Sequence, residues 1–539
     1  MKMIGQVGLA ALVLVSPMAA QEEPEPGLFS DRVDVRVVNI EVVVTDRDGV
    51  PVRGLGADAF VLQVDGQEVP VDYFSEIRGG QALLEPGGGA RDLPSVPALV
   101  PGKPVGTSYL VFIDEFFTFK EDRDRVLDGI ETDLGLLGEQ DLMAIVAFDG
   151  RQLEMLTSWT GSRQALGRAL DAARARPTKG LNRLAELRAF ERGADTRPGG
   201  ASAFGMDPET KSFILRLGDQ IDRMARGAAA TLRGFASPPG RKVMVLVNGG
   251  WPFSLTEFVA ADYRATSELT LVDREQLFRQ VSDTANLLGY TVYPADASGQ
   301  GTRWLEDPAS ASRAQPGAPA LYTARRVGRQ FSSRYMAKET GGKALLYENA
   351  ERAFSRVVED TRSYYWLGFS PTRAWDDRKH DIEIRTRDGQ LEVRTRQGFL
   401  DSSRSTEVTH QVESAFLFGS SPDSSELEVA LGEWRRAGFR KAEVPLTIGI
   451  PMSALTFVPN GEGVVAELEL RLAVEDKALR RAEIPVIPIS LQGEDAPGPK
   501  ARWEYTVPLR LRRQKHRALV ALYDVVSGKI YSSSIDIEP

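Results

Sequence analysis

The chain has no cysteine among its 539 residues. That excludes disulfide staples, a thiolate metal centre, a Cys nucleophile and a lipid anchored on sulfur. Histidine is scarce, with only His380, His410 and His516, and their placement offers neither metal-ligand nor triad spacing. There is no basic surplus: 66 Lys and Arg stand against 75 Asp and Glu, a net charge of −9. Phosphate backbones require clustered cations, so nucleic acid is not the expected partner. No G-x-S-x-G elbow, H-E-x-x-H helix or G-x-x-x-x-G-K-[ST] loop occurs. No catalytic residue is therefore assigned. An exported hydrolase would have to rest on a carboxylate pair that no motif marks.

Long apolar runs are missing too, except for one short stretch. Met1-Lys2-Met3 starts the chain positively, Val7 to Val15 is apolar, and Met18-Ala19-Ala20 closes with small residues. This reads as a secretory signal over 1–20, too short to span a bilayer. The expected location is exported, periplasmic or extracellular, with no transmembrane segment in the mature chain. With 42% hydrophobic and 26% charged residues, the remainder is ordinary globular protein. Its length implies more than one core.

Two kinds of periodicity divide the chain. Residues 33–78 alternate with period two, and Asp65-Gly66 marks a hairpin turn, with Val69 to Ile77 as the returning strand. Gly79 to Gly106 is rich in Gly and Pro, a linker or surface loop. From about 105 to 362, apolar runs (108–114, 141–148, 243–247, 290–295, 343–347) alternate with helical stretches near 121–137, 210–234, 271–288 and 324–339. Such alternation implies βαβ units around a mainly parallel, Rossmann-like sheet. Alternation by two returns at 363–400, where Arg387-Asp388-Gly389-Gln390 reads as a hairpin. Neither β unit buries a good core alone, so 33–78 and 363–400 are expected to pair as one sandwich with the α/β domain inserted between them. Residues 401–442, Ser-rich and polar, read as a linker region, and 443–539 as a C-terminal β-sandwich. The expected fold class is thus α/β plus all-β. Tyr364-Tyr365-Trp366 reads as strand packing, and the basic run 509–517 as a solvated strand and turn.

Asp114 is the most informative single residue. It ends the run Tyr109-Leu110-Val111-Phe112-Ile113, just before an acidic helix start. Open α/β sheets bind ligands at this carboxyl edge. The plainer alternative makes Asp114 an acceptor of backbone N–H groups at a helix start.

Four segments carry a resemblance to a known family. They are Val42-Val43-Val44-Thr45-Asp46 with Gly54-Leu55, Asp58, Phe60 and Asp65-Gly66; Leu110 to Asp114; Glu339-Thr340-Gly341-Gly342; and Tyr364 to Phe369 with Arg394 and Arg396-Gln397-Gly398-Phe399. In this order, over about 33–400, they resemble the exported bacterial von Willebrand factor A (VWFA)-related proteins of the Acidobacteria type. The resemblance implies a vWA domain at 105–362 and a metal-ion-dependent adhesion site, Asp-x-Ser-x-Ser with a loop Thr and a distal Asp. On that pattern Asp114 fits the first Asp, Thr118 stands for the second Ser, Asn248 takes the distal Asp position, and Thr178 is the nearest loop Thr. Phe116 replaces the first Ser and offers no oxygen; Asn248 is neutral. Mg²⁺ demands near-ideal oxygen geometry and negative charge, so the site is read as degenerate and no cofactor is expected.

The resulting expectation is a non-catalytic recognition or scaffolding protein. A protein partner would be bound at the sheet edge by Asp114, Glu115, Phe116, Thr118, Asn248 and Trp251, with Phe116, Phe117 and Trp251 either part of the contact or packed beneath the loops. The alternatives are a Mg²⁺-dependent adhesion protein with Asp114, Thr118 and Asn248 as ligands, and the hydrolase named above.

Overall fold

The computed structural model describes residues 37–83, 104–195, 208–236, 240–259, 276–297, 318–346, 350–371, 376–418, 424–461, 463–476, 484–498 and 500–538. The leader expected at 1–20 lies outside the described residues. These divide into two units, one over 37–418 and one over 424–538.

The first unit opens with β1 (Val38–Thr45), β2 (Phe60–Val64), β3 (Gln67–Val69), β4 (Tyr73–Arg78) and β5 (Gln81–Leu83). The α/β part follows, with β6 (Thr107–Asp114), α1 (Lys120–Thr132), β7 (Leu142–Phe148), β8 (Leu153–Thr160), α2 (Arg163–Ala175), α3 (Gly180–Asp195), α4 (Pro208–Gly234), β9 (Arg241–Asn248), α5 (Leu255–Val259), α6 (Gln276–Leu288), β10 (Tyr290–Asp296), α7 (Ala318–Glu339) and α8 (Ala353–Thr361). β11 (Tyr364–Phe369), β12 (Lys379–Thr386), β13 (Glu392–Arg394), β14 (Gly398–Leu400) and α9 (Arg404–Phe418) complete it.

The central sheet runs β10-β9-β6-β7-β8. Its first four strands are parallel, and β8 closes one edge antiparallel. Every residue of β6 is buried, because both faces are covered. Leu110 and Phe112 point into a core shared with α4 and α6, whereas Tyr109, Val111 and Ile113 point into a second core under α1, α2 and α8. Along α4 the stripe Phe213, Leu217, Ile221, Met224, Ala228 and Leu232 recurs every three or four residues and lies against the sheet. Full burial of a Leu, Ile, Met or Phe side chain contributes about 1.5–3 kcal/mol. The strand expected at 343–347 reduces to one bridge, Leu345 beside Ala295.

The flanking β segments interleave. β1 pairs with β11 and β13, and β11 with β4, giving one sheet; β2 pairs with β12 and β3, giving a second. Ile40, Val42, Leu62, Tyr365, Leu367 and Ile384 share the core between them. Asp65 and Gly66 have φ of 51° and 75°, as the tight turn requires. Two sequence expectations fail here. The strand that returns on β2 is only Gln67–Val69, because Tyr73–Arg78 crosses to the other sheet. Likewise β12 and β13 are not a hairpin: they lie in different sheets. Alternation identifies a strand but not the sheet it joins.

Cations cap helix ends at the base of the α/β layer, and one of them, Arg396, ties the sandwich to it. Arg396, buried, donates to Asn286 O near the end of α6 and to Asn39 O of β1, 2.9 and 2.6 Å away. Lys242 Nζ donates to Leu288 O at 2.6 Å, and Arg241 to Thr361 O at 3.0 Å. Carbonyls left over at helix C-termini are strong acceptors for such groups. Burial pulls the Lys242 ammonium down to about 8.

The stretch read as a linker is structured. Val408, Val412 and Phe416 of α9 are buried, and Arg233 chelates Glu413 at 2.5 and 2.8 Å. β15 (Glu428–Leu431) and β16 (Arg435–Arg436) then open the second unit.

That unit is all-β. β17 (Lys441–Pro451) pairs with β15, β16 and β21 (Arg502–Arg512). β19 (Gly463–Asp476) pairs with β18 (Val458–Asn460), β20 (Val486–Gly493) and β22 (His516–Asp524), and β23 (Ile530–Ile537) closes the second sheet. Leu446, Ile448 and Ile450 meet Leu468, Leu470, Val520 and Leu522 in one core between the sheets. In the basic run, Leu509 is buried and Arg510 is exposed against Glu443.

Candidate functional site

Asp114 sits at the carboxyl end of the central strand with no exposed surface. Its carboxylate collects N–H donors from two loops. Phe116 N–H and Phe117 N–H donate to Oδ1 at 2.7 and 2.9 Å. Trp251 Nε1–H donates to Oδ2 at 2.8 Å, and Gly249 N–H reaches the same oxygen at 3.5 Å. Thr118 Oγ1–H donates back to the Asp114 carbonyl. The two donors to Oδ1 come from the loop before α1 rather than from its first turn, whose N-cap is Phe119 with no side-chain bond. A short carboxylate at a strand end closes such a turn readily. Burial pushes the Asp114 carboxyl up to about 6, opposed by these four N–H groups.

Trp251 reaches Asp114 because the chain after β9 is unusually close and sharply turned. A Cβ at Gly249 would collide with the Phe117 carbonyl, and Gly250 has φ of 78°. Only glycine fits both demands without strain. Asn248 stabilises this turn: its Oδ1 accepts from Gly250 N–H at 2.8 Å, and its Nδ2 donates to Leu246 O at 3.3 Å.

Glu115 turns to the other side of the strand. Arg176 chelates it at 2.6 and 3.0 Å, and Arg123 stands 3.8 Å away. Arg123 and Glu115 have no exposed surface, a charge pair fully removed from water. Burial pushes Glu115 up, with Arg176 pulling against it. The carbonyls of Glu115 and Thr118 accept from Lys179 and Gly180, so the segment holding half-buried Thr178 lies against this loop.

The structure therefore gathers Asp114, Phe116, Thr118, Asn248 and Trp251 at one edge, but beneath its surface. All six residues expected to touch a partner, Glu115 included, are buried, as is Phe117. They form the buried floor of the edge. Mg²⁺ does not fit this donor set. Both oxygens of Asp114 already accept N–H bonds, Asn248 Oδ1 accepts from Gly250 N–H, Thr118 gives its hydroxyl proton to the Asp114 carbonyl, and Phe116 has no oxygen to give. An indole N–H aimed at Oδ2 takes up the oxygen a cation would need. Sequence reading missed Arg123 and Arg176, because nothing local links Glu115 to a residue 61 positions later.

A second polar cluster lies on the sandwich. His380 Nδ1 is 2.7 Å from Asp65 Oδ2, and its Nε2 is 3.2 Å from Asp376 Oδ1. The ring stacks on Phe399 at 5.2 Å. Asp376, His380 and Asp401 place ligand-type atoms within 4.8 Å of one another. The sequence separates His380 from Asp65 by 315 positions, so only the β2–β12 pairing reveals it. Burial pulls the imidazole pKa down, but the bonds to Asp65 and Asp376 outweigh it and leave it raised. A value raised on folding gives stability that is full below the unfolded value of about 6.5 and fades as pH rises through the folded one. The wild-type chain is expected to lose urea resistance between about pH 6 and 8, and His380→Gln to lose less. Parallel pH profiles for the two proteins would show that His380 plays no such part.

No protein-family model matches the chain, and no curated protein matches it. Several solved structures show partial likenesses. A structural-genomics target, SoR45, is 16% identical over 22% of this chain and 89% of its own, with a TM-score of 0.14. A β-glucuronidase of Bacteroides uniformis is 9% identical over 33% of this chain and 19% of its own, with a TM-score of 0.16. A protein from Archaeoglobus fulgidus is 10% identical over 21% of this chain and 96% of its own, with a TM-score of 0.13. Likenesses this slight carry no functional argument. Among the described residues no helix is long and apolar enough to cross a membrane.

Proposed function

We propose that this chain is an exported, non-catalytic recognition or scaffolding protein with a von Willebrand factor A-like domain, and that a protein partner docks over the carboxyl edge of its central sheet without a bridging metal ion. One observation supports this reading above the rest: Asp114, Thr118 and Asn248, the three expected ligands at the edge, are each bonded to the chain's own backbone or indole. The edge is held rigid by its own hydrogen bonds. The contact then falls to exposed residues above that floor, such as Arg151 and Gln152 in the β7–β8 turn. Export rests on the leader sequence.

The test is positional. A photo-crosslinking residue at Arg151 or Gln152 is expected to trap one protein from the native envelope, with the adduct unchanged by EDTA. Adducts formed only from a control position such as exposed Trp434, or an adduct abolished by EDTA and restored by Mg²⁺, would contradict it.

A further inference from the structure

Beside the edge, between α3, α4 and the loop after β9, a pocket encloses about 470 Å³ of empty space including its mouth. Phe117, Leu187, Phe213, Leu217 and Phe258 form its walls. Arg183, Arg216 and Arg329 also line it, with Glu186 the one carboxylate among them. A lining with three guanidinium groups and one carboxylate is cationic, in a chain whose net charge is −9.

Arg183 is incompletely satisfied. Its Nη2 pairs with Glu186 at 2.6 Å, and its guanidinium lies over the Phe116 ring with 4.7 Å to the centroid. Its Nε is buried and has no hydrogen-bond partner. A buried guanidinium nitrogen without an acceptor is costly and uncommon. Burial lowers the Arg183 pKa, with Glu186 opposing and Arg223 adding to the fall. Arg329 is buried, and desolvation pulls it down to about 10. An anion in the pocket would offer the acceptor that Arg183 Nε lacks.

We infer that this pocket binds a small amphiphilic monocarboxylate, its apolar body against Phe213, Leu217 and Phe258 and its carboxylate within reach of Arg183. A planar carboxylate matches the guanidinium fork. Glu186 beside Arg183 disfavours a dianion such as a phosphate monoester. A neutral head leaves Nε without its acceptor, and a cationic head meets three guanidinium groups. The inference stands apart from the recognition reading, since it needs no protein partner.

Three probes with one apolar body separate the possibilities: octanoate, octan-1-ol and octylammonium, titrated into the full chain by calorimetry. Octanoate is expected to bind one to one, about tenfold or more tighter than octan-1-ol, and octylammonium not to bind. Arg183→Met is expected to weaken octanoate about tenfold while leaving octan-1-ol little changed. Arg216 is exposed, so Arg216→Met retains the fold in any case, and is expected to weaken octanoate about threefold. Absence of octanoate binding, equal affinity for octanoate and octan-1-ol, or an octanoate affinity untouched by both substitutions would overturn the assignment.

Discussion

Asp114→Ala is expected to lower the unfolding free energy by about 3–5 kcal/mol. The change removes the acceptor for four N–H groups in a place with no exposed surface. Each buried donor left without a partner costs about 1–3 kcal/mol, and the terms are not fully additive because one water can enter the space vacated. Asp114→Asn separates charge from shape. Its amide oxygen can keep the Phe116 and Phe117 bonds, but its NH₂ must then face the Trp251 indole N–H. A smaller loss follows, about 1–3 kcal/mol. The pH dependence carries a sign of its own. The carboxyl of Asp114 is raised to about 6 in the fold, from about 3.9 unfolded, so its contribution is full below the unfolded value and falls as pH rises through the folded one. The advantage of the wild-type chain over Asp114→Asn should therefore shrink between about pH 4 and 7. Urea midpoints for the three proteins at pH 4.5 and 7.5 check both points. An alanine variant within about 1 kcal/mol of wild type would show that the N–H groups find other acceptors.

The second large effect concerns the order of the chain. Residues 21–100 expressed alone are expected to remain unfolded. β1 has its hydrogen-bonded neighbours in β11 and β13, and β2 has β12, all encoded after the α/β part. Without them Ile40, Val42, Phe60 and Leu62 lose Tyr365, Leu367, Ile382 and Phe399, the other half of their core. What remains is a few short strands with no covered face, which is below what water tolerates. Circular dichroism without strand signal and a melt without a cooperative step are the expected results. A cooperative transition in this fragment would mean that the amino-terminal strands form a domain of their own.

Much of this architecture can be read from the residues, because the β6–β7–β9–β10 runs are buried on both faces and alternate with helical stripes. The β unit at the start and its partner at 364–400 are each legible as strands. Which sheet each strand joins is not, since Tyr73–Arg78 shows the same alternation whether it returns on β2 or crosses to β11. α9 hides behind its Ser, Thr and Glu content. Its signal was the four-residue spacing of Val408, Val412 and Phe416, which outweighs polarity when a neighbouring helix offers an apolar face. At the edge, Asp114 and the missing oxygen at Phe116 stand out in the sequence. The role of Trp251 does not: an indole 137 positions away becomes a hydrogen-bond donor only because Gly249 and Gly250 let the backbone fold beneath Asp114. Residues read as a contact surface turn out to be buried, because a loop such as Glu115-Phe116-Phe117 has the same composition in either position.

Magnesium titration of the full chain is the most direct test of the claim that Asp114 holds N–H groups instead of an ion. Calorimetry from micromolar to millimolar Mg²⁺ should show no saturable heat, and the melting temperature should be the same with Mg²⁺ or EDTA. Stoichiometric binding that raises the melting temperature and disappears in Asp114→Ala would contradict it.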